Sequence, residues 1–345
     1  MDRARFPRDK VCAGWVTPGA FTLLELGPAD YRATGLTIQE ITGFRTSVIG
    51  DRPIETRYGT VISYAIRRCE FDDFLLRRAS VTVLPDTPLT SLERQGDVWV
   101  VNRSTRARIV IGAGGHFCPV ARHLRGELES SGGSGVPGKL DPPHVHVRPV
   151  VAKEAEFRVE AGGSEVASDT PELLFCRDLE GYGWCVRKGD YLNIGLGRRD
   201  HGDLNPHIQT FMTFLERRNL ARRASLVRWR GHAYLASGTG PRPLVGDGIL
   251  VVGDAAGLAY PESGEGIKPA IESGRLAAEV LGAARGRAGR DDLGPYEAEV
   301  RRRYPAVGRT PDALAGTVKA LGRALMHSPL FTRRVLIDRW FLRSA

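Results

Sequence analysis

Hydrophobic and polar residues follow two spacings along this chain, and together they predict an α/β protein. Residues 249–252 form a short apolar run behind a Gly-Asp-Gly turn, which predicts a buried strand. From Ile267 onwards, apolar residues recur at helical spacing, which predicts a helix. The small residues of 253–257 lie between the two and let the backbone pass close to a bulky group. The pattern therefore predicts a strand, a glycine turn and a helix in one unit.

Alternating positions predict a second, β-rich region. Residues 44–66 alternate between apolar and polar like a hairpin, and residues 144–200 contain several similar runs. The Gly/Ser/Pro-rich stretch 126–143 predicts a flexible loop. Towards the end of the sequence, amphipathic helices are predicted at 293–304, 311–326 and 329–341.

Composition narrows the classes of function. The chain has 345 residues, of which 42% are hydrophobic, so it can bury one large core or two coupled cores. Its five cysteines lack CxxC spacing, which favours a reducing compartment such as the cytoplasm and argues against structural zinc. His144 and His146 share one face of a predicted strand, but without nearby cysteines or clustered acids they predict no metal site. A net charge of +9 favours anionic partners such as dinucleotides or anionic lipid, but no nucleic-acid motif is present, so no nucleic acid is expected.

The stretch that follows the apolar run is longer and more specific than an ordinary glycine turn. GDAAG, then PESGEGI, then an Ala-rich helix resembles the second flavin-contacting motif of the geranylgeranyl reductase family, which belongs to the flavoproteins built like p-hydroxybenzoate hydroxylase. The resemblance implies that Asp254 holds a ribitol hydroxyl of FAD. It also implies that the helix N-terminus, at Gly264, Gly266 and Ile267, faces the pyrimidine edge of the flavin. The positive end of a helix dipole there would stabilise the negative charge that develops on reduction.

A second resemblance lies at the start of the chain. Residues 4–14 (ARFPRDKVCAG) are similar to the family pattern P-R-x-K-x-C-G-G, which places Cys12 and Gly14 beside the flavin and makes Asp2 the acid that would hold the adenosine ribose. The family has a strand, a GxGxxG turn and a helix ahead of this pattern, so the FAD-binding domain is expected to be N-terminally incomplete and to hold FAD poorly. For Cys12 two interpretations stay open, a small buried hydrophobe or a flavin-adjacent proton donor.

Two further residues complete the predicted cofactor site. The sequence R-x-x-F-D-x-x-L at a helix start is a mark of the family, and it matches Arg68, which the resemblance assigns to the FAD diphosphate region. The alternative for Arg68 is a surface arginine at the start of a helix. Leu89, in a predicted strand at 89–93, is the other predicted cofactor-binding residue.

A third resemblance concerns the β-rich region. The family carries Y-x-W followed by a strand that ends in G-x-G, on the sheet that roofs the flavin and lines the substrate cavity. Here the matching aromatic residues are Tyr182 and Trp184, and the glycines fall at 195 and 197. The resemblance therefore makes Tyr182 and Trp184 catalytic candidates alongside Cys12. The alternative is core packing, which is the commoner role of aromatic residues.

The motifs together predict an α/β fold, in which an FAD-binding Rossmann-like domain carries an inserted mixed β-sheet substrate domain and C-terminal helices. The predicted boundaries are 1–43, 67–143 and 245–310 for the FAD-binding domain, 44–66 and 144–244 for the substrate domain, and 311–345 for a C-terminal helical cap. The last segment, basic and amphipathic, either caps the substrate cavity or contacts a membrane surface, which would make a cytoplasmic protein membrane-associated.

The resemblance implies an FAD-dependent oxidoreductase that reduces C=C bonds of a small apolar substrate, prenyl- or lipid-like, by hydride transfer from flavin N5. NAD(P)H or a ferredoxin would supply the electrons, and Cys12, Tyr182 or an ordered water the proton. Because an unactivated alkene has no oxygen for an acid to polarise, catalysis must depend on positioning in a dry slot. Two alternatives stay open: a flavin-dependent monooxygenase of the same fold, and a truncated non-catalytic remnant that no longer retains FAD.

Overall fold

The computed structural model describes residues 1–131, 149–160, 162–199, 203–237, 242–305 and 312–343, and it has the mixed α/β composition that the sequence predicts. In chain order the strands are β1 (Trp15–Val16), β2 (Ile38–Ile41), β3 (Gly43–Val48), β4 (Ile54–Arg57), β5 (Ser63–Ile66), β6 (Leu92–Gln95), β7 (Val98–Val101), β8 (Thr105–Ala107), β9 (Val110–Gly112), β10 (Val150–Arg158), β11 (Glu172–Phe175), β12 (Gly181–Lys188), β13 (Tyr191–Arg198), β14 (Arg230–Tyr234), β15 (Val245–Gly246) and β16 (Ile249–Val251). The helices are α1 (Pro18–Leu23), α2 (Pro28–Ala33), α3 (Arg68–Arg78), α4 (Pro119–Ser131), α5 (Leu204–Arg217), α6 (Ile267–Ala283), α7 (Arg290–Arg303), α8 (Asp312–Leu325) and α9 (Pro329–Phe331). A 3₁₀ turn covers Gly253–Ala255, and a π-helical segment covers Thr332–Leu342.

The first of two compact units comprises Met1–Arg5, Thr82–Pro149 and Tyr234–Gly308. In it β16 lies between β15, which is antiparallel, and β9, which is parallel. The predicted buried strand is confirmed, because the side chains of β16 are shielded from solvent in a cluster with residues of α4, α6 and α7. The Tyr296 hydroxyl donates to Val251 O at 2.7 Å and so ties α7 to the end of the strand.

The second unit comprises Phe6–Val81, Val150–Ala233 and Arg309–Ala345. Its main sheet has the order β14-β10-β13-β12-β11-β3-β4, with β11 and β3 parallel and the run from β10 to β11 antiparallel. The apolar side of α5 packs on one face of this sheet. The π-helical segment packs on the other face, where its residues Leu336, Ile337 and Phe341 join a buried cluster with Phe44 and Trp184.

The two compact units divide the chain at other positions than the domain boundaries predicted from the family resemblance. Those boundaries concern the segments that would contact FAD, and they stay a prediction. Residues 6–43 and 67–81 group with the large sheet rather than with the first unit. The reason lies in a small three-stranded sheet, in which β5 pairs with both β1 and β2. These backbone hydrogen bonds join the early segment to the predicted hairpin at 44–66, of which only β3 and β4 pair with each other.

Several element boundaries differ from the predictions. The predicted loop at 126–143 begins as helix, since α4 runs to Ser131; its remainder lies outside the described residues, as do His144 and His146. Residues 81–84 do not form the strand that their apolar pattern suggests, and two prolines follow closely at positions 85 and 88. Among the described helices, none combines the length and apolarity that crossing a bilayer requires.

Candidate active site

The GDAAG turn is fixed against helix α6. Gly253 has a φ of +57°, and a Cβ at this position would lie 3.0 Å from Ala270 Cβ, so a side chain here would be strained and crowded. The Gly253 N–H donates to Ser273 Oγ at 2.9 Å, and Ser273 Oγ in turn donates to Pro269 O at 2.8 Å. Both hydrogen bonds are buried. They hold the next residue, Asp254, beside the start of the helix.

Four predicted cofactor-binding residues meet at this helix N-terminus. A Cβ on Gly266 would come within 2.9 Å of Asp254 Oδ1, and one on Gly264 would lie 2.1 Å from the Tyr234 hydroxyl. Helix α6 begins at Ile267 without a side-chain cap, and the first N–H groups of a helix have no intrahelical acceptors. The site thus offers a carboxylate, backbone donors and a surface without side chains. This donor set fits the ribitol and pyrimidine end of a flavin.

Two arginines and Asp254 lie near His116, and sequence reasoning assigned no site role to the three basic side chains. Burial, together with the nearby Arg125 guanidinium, lowers the pKa of Arg242 to about 10. Burial and the same two arginines lower the pKa of His116, which Asp254 opposes. His116 Nδ1 is buried and has no hydrogen-bond partner among the residues that the structure describes. Arg242 is more than a hundred residues from His116 and Arg125, and none of the three was assigned by a motif, so only the fold reveals the cluster.

Asp2 and Leu89 also lie in the first unit. The Asp2 carboxylate accepts the Ala4 N–H at 2.8 Å, and the Asp2 backbone pairs with Leu84 and Thr87. Leu89 is partly buried against the core cluster of this unit. Their roles in cofactor binding stay predictions.

In the second unit, the backbone around Cys12 is closely constrained. Gly14 has a φ of +67°, and a Cβ there would lie 2.1 Å from Ile66 O and 2.6 Å from Lys188 Nζ. The Gly14 N–H donates to Cys12 Sγ at 3.3 Å, while Asn193 Nδ2 donates to Cys12 O at 3.3 Å. Only glycine fits at position 14. Its lack of a side chain allows the Cys12 carbonyl to approach strand β13, where Asn193 binds it.

Arg68 is engaged within this unit. Its guanidinium binds Asp72 through two hydrogen bonds, Nε to Oδ1 at 2.7 Å and Nη2 to Oδ2 at 2.9 Å. Burial alone would lower the pKa of Arg68, but the Cys12 thiol and the Asp72 carboxylate raise it overall. Arg68 therefore joins Cys12 to helix α3. Its predicted contact with the FAD diphosphate stays a prediction.

Tyr182 and Trp184 lie on the sheet face that the π-helical segment covers. The Tyr182 ring is 5.4 Å from Phe341 and 6.0 Å from Trp184, measured between ring centroids. The Trp184 indole lies over Gly195, where a Cβ would be only 2.1 Å from the ring. The indole Nε1–H donates to Asn193 Oδ1 at 2.7 Å, so the polar group of this residue is satisfied in an apolar setting.

Asn193 thus links two of the predicted catalytic residues, because it accepts from Trp184 and donates to Cys12. Ionisable side chains lie beside it. Lys188 Nζ is fully buried and pairs with Glu156 at 2.6 Å, and Arg67 reaches the same carboxylate at 3.0 Å. Sequence reasoning assigned no role to any of these four side chains, and for the three in strands the reason is that polar positions in a strand are ordinarily interpreted as its solvent-facing side.

The comparisons with known proteins agree with the motifs. No protein-family model matches the chain. A menaquinone reductase from Mycobacterium tuberculosis is 29% identical over 304 residues, which cover 81% of this chain and 69% of that protein. A digeranylgeranylglycerophospholipid reductase from Methanocaldococcus jannaschii is 28% identical over 236 residues, covering 64% of this chain and 55% of that protein.

A solved structure has a similar fold. It is a geranylgeranyl bacteriochlorophyll reductase-like protein from Thermoplasma acidophilum, with a TM-score of 0.67 and 20% identity over 94% of this chain and 79% of that chain. The prediction of an α/β fold of this flavoprotein type is confirmed. In its motifs, its sequence and its fold, the chain is therefore similar to FAD-dependent oxidoreductases of the geranylgeranyl reductase type.

Proposed function

We propose that the protein reduces carbon–carbon double bonds of an apolar, prenyl-type substrate. One observation carries the proposal: an aromatic sheet face, with Tyr182 and Trp184 at its centre, is linked through Asn193 to the cysteine that the family motif places at the flavin. Two relatives support it, since they are named as reductases of menaquinone and of digeranylgeranylglycerophospholipid.

FAD is the redox cofactor, and the first unit offers residues for its flavin end. Asp254 would hold a ribitol hydroxyl, and the backbone N–H groups at Ile267 would face the polar edge of the ring. When bound, FAD supplies the hydride through N5. The two arginines beside His116, Arg125 and Arg242, give this unit a positive potential that favours an anionic ligand such as a dinucleotide.

The chain itself must position the alkene, exclude water and provide a proton. An unactivated double bond offers no oxygen to polarise, so the apolar rings around Tyr182 would hold it by shape and dispersion. The same rings keep water away from the reacting carbons. Cys12 and Tyr182 are the candidate proton donors, and Cys12 is held in place by two hydrogen bonds, one to its sulfur from the Gly14 N–H and one to its carbonyl from Asn193.

The test is anaerobic turnover of FAD-loaded protein with geranylgeranylated lipids, followed by mass spectrometry of the products. Saturated product with matching flavin oxidation is the expected result. Hydroxylated product formed in air would instead indicate the monooxygenase chemistry that the same fold supports. Flavin oxidation without any modified lipid contradicts both functions.

We propose that such a lipid substrate is reached at a membrane surface. Leu321 and Leu330 are 60% and 70% exposed, and Leu325 lies one helical turn after Leu321. Arg323, Arg333 and Arg334 are also exposed in this stretch. Exposed leucines beside arginines are typical of a helix that rests on anionic lipid.

A further inference from the structure

Glu154 is a buried acid beside the aromatic face, and the mechanism above leaves it without a role. Glu154 on β10 and Trp184 on β12 both stand opposite Gly195 of β13. Directly opposed residues point to the same face of a sheet. The Trp184 indole lies over Gly195, so the Cα of Glu154 is on the strand next to the residue that the ring covers.

The environment of Glu154 favours its neutral form. Only 6% of the residue is exposed, and its Oε2 has no hydrogen-bond partner among the described residues. Burying an unpaired carboxylate oxygen costs far more free energy than burying the neutral carboxylic acid. The pKa of Glu154 is raised to about 7, chiefly by burial and also by Glu156, although Lys188, the Cys12 backbone and the Asn193 amide oppose the rise.

The neighbouring Glu156 shows the opposite behaviour on the same face. Burial would raise its pKa, but Lys188 and Arg67 pair with it and lower the pKa overall. Glu156 is therefore a carboxylate that neutralises Lys188. When the surroundings of two neighbouring acids shift their pKa values in opposite directions, one of the two often acts as a general acid or base.

Glu154 also lies against the predicted catalytic cysteine. The Cys12 backbone N–H and the Asn193 amide are both near enough to favour its charged form by hydrogen bonding. Asn193 in turn donates to Cys12 O and accepts from the Trp184 indole. The unpaired oxygen of Glu154 is thus placed among three residues that the resemblance or the fold assigns to the reductive site.

We propose that Glu154, rather than Cys12 or Tyr182, is the proton donor of the reduction, a role that rests on the proposed function. The O–H bond of its carboxylic acid breaks, and a C–H bond forms at the alkene carbon that does not receive the hydride. The electron pair for the other new C–H bond comes with the hydride from the reduced cofactor, so the alkene is reduced and the cofactor oxidised. Glu154 is left as a carboxylate, and solvent returns its proton before the next turnover.

A matched control lies on the opposite face of the same sheet. Glu172 is 3% exposed, and burial raises its pKa to about 7 as well. It stands opposite Cys185, which packs in the cluster beneath α5, and its partner is Arg45 at 2.9 Å. Glu154→Gln and Glu172→Gln therefore remove equally buried acids, of which only the first borders Cys12 and Trp184.

Two measurements on each variant test the role. Infrared titration of the carboxylic C=O band, on protein without substrate, reports which acid is protonated near neutral pH. Single-turnover saturation of a geranylgeranylated lipid by pre-reduced protein, followed across about pH 5 to 9, reports proton delivery. Glu154→Asp retains a carboxyl and keeps the test valid if the glutamine variant folds poorly.

Glu154→Gln is expected to lose a band that titrates near neutrality, to turn over roughly 10²- to 10⁴-fold more slowly, and to lose the fall in rate above about pH 7. Glu154→Asp should regain part of the rate, and Glu172→Gln should keep the parent rate and pH profile. A folded Glu154→Gln protein with parent flavin content, rate and pH profile overturns the role of Glu154 alone. A parent protein that oxidises its flavin but saturates no alkene overturns the proposed function itself.

Discussion

The Trp184 indole donates to Asn193 Oδ1 at 2.7 Å inside the second unit, and the other end of the same amide donates to Cys12 O. One side chain thus fixes both the indole and the cysteine peptide. Because the amide is buried, a change at Asn193 leaves polar groups of both neighbours without partners.

Asn193→Leu is expected to destabilise the protein by about 1 to 3 kcal/mol, since it leaves the Trp184 N–H buried and unpaired. Denaturant unfolding of the single and double variants measures this. Trp184→Phe in the Asn193→Leu background should cost less than the sum of the two single changes, because no N–H is then left unpaired. Additive effects would mean that the two residues are not coupled.

Asp254→Ala is expected to weaken FAD binding by roughly 10- to 150-fold, as for loss of a charge-assisted hydrogen bond worth about 1.5 to 3 kcal/mol. Flavin fluorescence on titration measures the dissociation constant. Asp97, an exposed acid in the turn between β6 and β7 of the same unit, supplies the control Asp97→Ala. Equal constants in both variants and the parent would remove Asp254 from the cofactor site.

Gly14→Ala should be far more damaging than Gly35→Ala. Both glycines have positive φ, +67° and +78°, so both substitutions carry about 1 kcal/mol or more of backbone strain. A Cβ at Gly14 would also collide with Ile66 O at 2.1 Å, whereas nothing lies within 4 Å at Gly35. The difference between the melting temperatures of the two variants measures the effect of the collision. Equal losses of melting temperature would contradict this geometry.

The raised pKa of Glu154 makes folding stability depend on pH. The folded state holds this proton more tightly than the unfolded chain, so its stabilising effect is complete below about pH 4.5 and disappears as pH rises through about 7. The full change is about 3 kcal/mol for this shift in pKa. The unfolding free energy of the parent minus that of Glu154→Gln should fall across this interval. A difference that stays constant with pH would show that Glu154 ionises normally.

Leu321→Ser combined with Leu330→Ser is expected to reduce binding to vesicles of anionic phospholipid by at least about tenfold, because two exposed apolar side chains no longer enter the lipid. Co-sedimentation measures this. Leu226 is 74% exposed elsewhere in the second unit, so Leu226→Ser is the control and should bind like the parent. If all proteins bind neutral and anionic vesicles equally weakly, the surface has no lipid role.

Local signals explain what the sequence could predict. The strand, GDAAG turn and helix at 249–283 depend on residues close in the chain, and the structure assembles them as predicted. β10 shows where such signals fail, since the sequence predicts one strand at 144–151 and another at 155–159, with the polar residues Lys153 and Glu154 in the break between them. The strand is continuous, and Glu154 is buried because β13 and the Cys12 segment cover it. Whether a strand residue is buried depends on segments that are distant in the sequence. The alternation of polar and apolar residues along one strand contains no information about them.

Arg68 shows a different limit. The motif that singles it out also contains Asp72, four residues later on the same helix face, and the two form an ion pair. A motif therefore reports that a side chain matters without reporting which partner it takes. Asn193 begins the strand segment that ends in the G-x-G of the third resemblance, but the motif gave its side chain no role, and only its position between two neighbouring strands made it a bridge.

Phe341 of the π-helical segment stacks on Trp15 and meets the edge of Tyr182, so part of the aromatic face is already occupied by the chain's own side chain. An apolar ligand that binds at Tyr182 must exchange one hydrocarbon contact for another. Its gain in buried apolar area is then the difference between the two contacts, not the whole area of the face. Such a surface favours ligands that bury more apolar area than a single phenyl ring. When the product leaves, the Phe341 ring can cover the aromatic face again, so that its rings are not exposed to water.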